Sequence, residues 1–438
     1  MLESTVIRGV ISKARSILLA SFVGLFTWQS AVAQVDQSSY SVFGVGSLNW
    51  SGYAHNAAMG GLGISNNSKF FFNDLNPALL GTNAEAVFQL GTALDYRSIT
   101  NGQSSYSTMT GGFKDFGLSM PLIYNRWNVG LSLNPYSSVS YGFVQQQNGP
   151  EGGTTLVDVS GVGGIDQINL SSSVSLGNFT LGLKATYYYG SINNEDRFTL
   201  QNVNTNFATT IVKERRSFSE LAPSVGLLYD LRISDNSGIH IGAYYNPAVD
   251  IKQTTLVTFE NETNSGNLTS SDTLVYDKNL NRTITIPERM GFGISYEKFR
   301  KLTIGLDVQL QDWNDYRNRD GLAESYYGKS MRVAFGGEFI PNFDQPSKLL
   351  NVSSFRFGFH YEKTPFLVNN ESVNDVGINF GVSLPLTSFW GLSHVNFGAT
   401  LGQRGNISTV GLIRENYVTL NLGFSLQDIT WFTKQRFN

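Results

Sequence analysis

Leu302-Thr303-Ile304-Gly305-Leu306-Asp307-Val308-Gln309-Leu310-Gln311 alternates an apolar side chain with a small or polar one along its whole length. Successive side chains of a strand point to opposite faces, so this stretch has one apolar face and one polar or glycine face. The same alternation runs from Val376 to Leu384, from Phe179 to Tyr189 and from Val418 to Leu426. Segments of about ten residues with this dyad, separated by turn residues, mark a transmembrane β-barrel. About fourteen can be placed, within the range of such barrels. They lie near residues 86–97, 107–120, 126–134, 166–176, 178–190, 219–230, 238–247, 288–298, 300–311, 330–340, 353–362, 374–384, 393–402 and 416–426. Some joints are as short as Gly177-Asn178, whereas long polar connections are expected around 146–165, 191–218, 248–287 and 311–329. Short turns at one end and long loops at the other are the asymmetry of an outer-membrane barrel.

Composition agrees. Of 438 residues, 41% are hydrophobic, 13% aromatic and only 15% charged, with 45 glycines, 11 prolines and no cysteine. Soluble domains carry roughly 25% charged residues. A mean hydropathy slightly below zero leaves no room for several apolar helices of about 20 residues. The aromatic content excludes a disordered chain. A net charge of -3 offers no footprint for nucleic acid. Without cysteine there is neither a disulfide framework nor a thiolate metal site. A soluble sandwich or propeller also alternates. Against it stand a polar face built of Gly, Ser, Thr and Asn, and the absence of a blade-length repeat. Aromatics also cluster at segment ends (Tyr96, Trp127, Tyr229, Tyr296, Trp313, Tyr361), where a membrane girdle places them. The expected fold is an all-β transmembrane antiparallel barrel.

Arg8, Lys13 and Arg15 precede an apolar run from Ile17 to Phe26, and Ala31-Val32-Ala33-Gln34 follows. That order describes a secretory signal peptide, residues 1–33, cleaved after Ala33. No cysteine follows the run, so a lipoprotein is excluded. Residues 34–83 lack barrel periodicity and read as a hatch or plug segment. The barrel then occupies 84–430, with a short C-terminal tail at 431–438.

Within residues 34–83, Gly44-Val45-Gly46, Asn56-Ala57-Ala58-Met59-Gly60-Gly61 and Asn76-Pro77-Ala78-Leu79 follow one another. This succession resembles the opening of the FadL/OmpP1/TodX family of outer-membrane transporters of long-chain fatty acids and other hydrophobic molecules. The resemblance covers roughly Tyr40 to Leu80, and architecture alone beyond. It implies a fourteen-stranded barrel, a hatch carried by Gly44, Gly46, Gly60, Gly61, Asn76, Pro77 and Ala78, and no cofactor. The ending Trp431 to Asn438, aromatic and basic, is similar to that of FadL-like proteins from the Bacteroidota. On residues alone, Asn76-Pro77 favours a turn, because proline fixes its own φ and restricts the residue before it.

Chemistry inside the barrel is sparse. The polar parity of three neighbouring segments carries Asp307, then Arg332 and Glu338, then Arg356 and His360. Two readings stand: a ladder of cross-strand ion pairs, or a cationic spot for an amphiphile's carboxylate at Arg332, Arg356 and His360. Asn134-Pro135 interrupts the third segment, either ending it or kinking it, since proline removes a ladder hydrogen bond. In the resembled family a kink in the third strand opens the wall sideways toward the membrane. Four histidines, no triad grouping, no phosphate loop and no metal-ligand spacing argue against an enzyme. The expected partners are outer-membrane lipid and a hydrophobic small molecule, with no nucleic acid. The leading expectation is passive uptake of hydrophobic small molecules such as long-chain fatty acids. The alternative is an accessory FadL-like barrel within an outer-membrane protein complex for assembly or secretion, whose long loops bind other outer-membrane proteins.

Overall fold

The structure is a computed structural model. It describes residues 38–50, 52–148, 154–201, 209–263, 267–277, 282–345, 348–388, 391–407 and 411–428. The expected signal peptide and the C-terminal tail lie outside these residues.

Fourteen antiparallel strands close into a barrel, as the alternation predicts. They are β1 (Ala86–Thr100), β2 (Ser105–Ile123), β3 (Trp127–Asn148), β4 (Thr154–Leu176), β5 (Phe179–Gln201) and β6 (Thr209–Ser234). Strand β7 is interrupted, running through Ser237–Asn246 and Val249–Glu262. Strand β8 comes in three pieces, Leu268–Asp277, Thr283–Ile286 and Arg289–Lys298. The rest are β9 (Leu302–Asp312), β10 (Lys329–Phe339), β11 (Ser354–Val368), β12 (Glu371–Ser388), β13 (Gly391–Arg404) and β14 (Arg414–Asp428). Strand β14 pairs with β1 from Arg414↔Thr100 to Asp428↔Ala86, which closes the ring. Closure gives each strand of the ring two neighbours over its membrane-length part, the condition for spanning hydrocarbon with strands.

Parity sorts the side chains as expected. On β9, Ile304 and Leu306 are exposed, whereas Asp307 and Gln309 are buried. On β12, Ile378 and Phe380 face out, whereas Asn379 and Ser383 are buried. The apolar face is therefore the lipid face, and the polar face lines the lumen.

The extracellular loops are corrected. Residues expected as polar loops around 146–165, 191–218 and 248–287 are largely strand, because β3 to β8 continue far beyond the membrane-length segments. Their pairings persist to Asn148↔Thr154, Thr154↔Gln201, Thr199↔Thr209, Thr209↔Glu262 and Leu268↔Glu262. In these outer ends most side chains on both faces are only partly buried, so no dyad of hydrophobicity marks them. These six strands rise as an open wall over one half of the ring. The connection after β9 folds inward instead, with Trp313, Tyr316 and Tyr327 buried.

Candidate functional site

The N-terminal segment fills the lumen. It starts with a 3-10 turn (Ser39–Val42) and a short strand (Ser47–Leu48), continues through a helical turn (Ala54–Ala57) and ends in a 3-10 turn (Pro77–Thr82). Tyr53, Ala54, Ala57, Met59, Leu62, Ile64, Phe72, Ala78 and Leu80 are all buried. In the outer half, Tyr40, Val45, Leu48 and Trp50 join Tyr136, Tyr188 and Phe366 from the wall, and Trp313 and Tyr327 from the connection after β9, in one apolar core. Toward the periplasmic end, a cavity between the hatch (Ser68 to Phe71) and the β8–β9 turn holds ≈ 30 Å³. Ordinary ligand pockets hold roughly 300–1,000 Å³.

Each hatch motif has a physical task. Gly60 and Gly61 adopt φ of +77° and +91°, the left-handed region that glycine enters without strain. A Cβ on Gly60 would stand 2.6 Å from the Phe359 carbonyl oxygen, and Cβ atoms on Gly336 and Gly358 would strike Met59. Glycines of hatch and wall thus let backbone lie on backbone. Asn76 caps the last turn, its side-chain oxygen accepting from Ala78 N at 3.1 Å. Its amide donates to Ile64 O at 2.9 Å and to Leu227 O of β6 at 3.0 Å. Pro77 occupies the first position of that turn, where its missing N–H costs nothing. Pro77 and Ala78 sit against Gly182 and Gly226 of the wall. Gly44 and Gly46, at φ of +56° and +91°, turn the chain so that Val45 N donates to the Tyr327 hydroxyl at 3.2 Å.

The lumenal charges hold this segment. Asp307 is fully buried and accepts from Gly63 N and Ile64 N, both at 2.7 Å. Arg332 pairs with Glu362 at 2.8 Å and donates to Gly60 O at 3.0 Å. Arg356 donates through Nε to Glu338 at 2.7 Å and stacks its guanidinium 4.9 Å above the hatch ring of Phe71. Its Nη1 also reaches Ser383 and Asn396. His360 contacts Asn379 at 3.1 Å and the Tyr417 hydroxyl at 3.3 Å. Glu338 stands directly opposite Arg356, and Arg332 opposite Glu362, so both pairs are cross-strand pairs. The three residues singled out as an amphiphile site are buried, and each already has partners in wall or hatch. Burial, with the cations of Arg356 and Lys114 nearby, pushes the pKa of hatch residue His55 well below its ordinary value.

Sequence reasoning missed a second clasp. Glu415 is buried, accepts from Ser38 Oγ at 2.8 Å and from Ser39 N at 2.7 Å, and pairs with Arg97 at 2.7 Å. Asp375 pairs with Arg404 at 2.8 Å and accepts from the Tyr417 hydroxyl at 2.6 Å. Inward parity was the available signal, but the expected last strand began at 416, one residue too late for Glu415. Arg289 was missed too. It lies 5.0 Å from the Trp50 ring and 5.8 Å from that of Tyr136.

At Asn134-Pro135 strand β3 does not end. The expected segment 126–134 runs on to Asn148. Its pairing with β2 stops at Leu133↔Phe116, and its register against β4 slips between Pro135 and Ser137. Asn134 accepts from Asn169 at 3.1 Å. In the seam above, the hatch takes the place of β2. Ser47 and Leu48 pair with Ser138 and Ser137, Asn49 N donates to Tyr136 O at 2.9 Å, and Ser140 N donates to Ser41 Oγ at 3.0 Å.

A closed ring of fourteen strands with its own N-terminal segment packed in the lumen defines the class, an outer-membrane β-barrel of FadL-like fold. The BamG family model matches residues 14–438, and the chain belongs to the BamG family. Among solved structures it is similar to the toluene transporter TodX of P. putida, with a TM-score of 0.59 and 15% identity over 87% of this chain and 99% of that one. It is also similar to a FadL homologue of Pseudomonas aeruginosa, with a TM-score of 0.53 and 13% identity over 90% and 99%. The monoaromatic hydrocarbon channel CymD gives a TM-score of 0.52 and 14% identity over 87% and 99%. No curated protein matches the chain. The resemblance read from the hatch motifs is borne out.

Proposed function

We propose that this barrel is an accessory subunit of an outer-membrane protein assembly complex, docking partner proteins. The observation that carries the reading is the filled lumen. The hatch is clasped by Glu415, Asp307 and Arg332 and meets the wall glycine on backbone, an arrangement suited to a rigid scaffold. Membership of the BamG family supports it, since that name points to outer-membrane protein partners. The protein isolated from gently solubilised outer membranes should come as a stoichiometric complex. Recovery as a lone barrel under those conditions would sink the reading.

One observation favours a second reading, passive uptake of hydrophobic small molecules. The wall parts between β2 and β3 beyond Leu133, next to Pro135, and the similar structures are named as a toluene transporter and a monoaromatic hydrocarbon channel. On that reading, ligand leaves sideways through the seam after the hatch segment Ser38 to Asn49 moves. Arg356, with Arg332 and His360, then meets an acidic headgroup such as that of a long-chain fatty acid. Replacing Arg356 by Ala should then slow uptake of a carboxylated ligand more than that of a neutral one. Equal effects on both would remove Arg356 from the binding site.

A further inference from the structure

Among the described residues the wall above the ring is a sheet with two outermost strands. One is the first piece of β8, Leu268–Asp277, and the other is the outer end of β3, from Gly142 to Asn148. Side chains are exposed on both faces at each edge. The two differ in their defences. An edge strand presents unpaired N–H and C=O groups, and proteins blunt such edges with bulges, charges or proline. The β8 edge has two register shifts, between Leu268 and Ser270 and between Thr273 and Val275, and carries Asp272 and Asp277. The β3 edge, Gly142-Phe143-Val144-Gln145-Gln146-Gln147-Asn148, has no charge and no proline. Its ladder to β4 is unbroken from Ser137↔Ile165 to Asn148↔Thr154. Among the described residues nothing pairs with its other side, since β2 leaves at Leu133 and the hatch strand reaches only Ser138. At the base of this edge Tyr141 donates to Asn194 of β5 at 3.1 Å, across the intervening strand β4.

We propose that the Gly142–Asn148 edge is a β-augmentation site on the outer face, taking an extended, neutral segment of a partner protein as an added strand. Backbone hydrogen bonds would supply the affinity, and Phe143 and Val144, exposed by 45% and 63%, would meet alternate side chains of the segment. A neutral edge penalises any charged side chain placed directly against it and desolvated there, which selects a Ser-, Thr-, Asn- or apolar-rich segment. A ladder this short, seven residues or about 23 Å at ~3.3 Å per residue, falls short of the roughly 20–30 residues a side that a stable standalone interface engages. It therefore adds to contacts made elsewhere in an assembly, which favours a resident partner over a second copy of this chain. The inference rests on the accessory-subunit reading.

The test compares the native complex from gently solubilised outer membranes with the barrel stripped of partners, by amide hydrogen exchange. Residues 142–148 should exchange about tenfold more slowly in the complex, as paired edges do. Val144→Lys with Gln146→Lys should reduce co-isolated partner about tenfold, while Leu274→Lys on the far edge leaves it unchanged. The shift in gel mobility between heated and unheated samples should persist in all variants, showing that the barrel still forms. A complex that survives the two lysines with residues 142–148 unprotected overturns this site and leaves the accessory reading standing. A wild-type barrel that never co-isolates with partner overturns both. A doubled mass of the stripped barrel, lost in the lysine variant, replaces the partner by a second copy and overturns the assignment made here.

Discussion

The ring within the membrane and the wall above it are made from the same strands, yet they solve opposite problems. In the ring, lipid lies outside and hatch inside, and every strand is paired on both sides below the β2–β3 seam. In the wall most side chains are only partly buried, and among the described residues the outer end of β3 is paired on one side alone. Ion pairs show the contrast most plainly. Arg332–Glu362 is 6% exposed on both sides and also holds Gly60. Arg197–Glu262, at a similar 2.9 Å, is 39% and 22% exposed. Distance is the same; only the solvent differs. Solvent decides what each pair is worth, because charge left alone in a dry lumen has no water to turn to.

The largest effect is expected at Gly60, where a side chain meets the Phe359 backbone and the left-handed φ forbids a β-branched residue. Gly60→Val should cost upwards of ~4 kcal/mol, read as loss of the heat-stable compact band and as protease cleavage within the hatch. A folded barrel with a protected hatch would show that the close approach is not required. Next comes Arg332→Ala, which strands Glu362 in the lumen and should cost about 3–5 kcal/mol in a denaturant titration. Asp307→Asn keeps the shape and the two backbone hydrogen bonds but makes their acceptor neutral, so each falls from roughly 1.5–3 kcal/mol toward roughly 0.5–1.5. It should lower stability by less than Arg332→Ala and loosen Gly63 and Ile64 in amide exchange. The smallest effect is expected for Arg197→Ala in the wall, below ~1 kcal/mol, since exposed pairs contribute little. If Arg197→Ala matched Arg332→Ala, the wall would be as dry as the lumen and the contrast would collapse.

Within the membrane the pattern was legible, because one face of each strand meets hydrocarbon and the other meets polar lumen. Every expected segment has its strand, from 86–97 in β1 to 416–426 in β14. The wall was not legible. Residues 191–218 carry Asn193, Glu195, Arg197, Lys213 and Glu214, a composition that reads as loop although the backbone is laddered through most of it. The hatch was legible as a motif, since glycine and Asn-Pro have local backbone reasons to be where they are. Its clasps were not, because Ser38 and Glu415 are nearly the whole chain apart.

The alternation by itself determined the number of spanning strands, which side chains face lipid and where the lumen-filling segment gives way to the barrel. Those are local properties, set by the two-residue period of a strand and the few conformations open to glycine and proline. Only the tertiary structure decided that Arg332 and Arg356 hold the wall and hatch together, that β3 parts from β2 at Pro135, and that the polar connections stand up as a sheet with one unguarded edge. Each depends on which residues far apart in the chain are brought together once the ring closes, and on whether water is left between them.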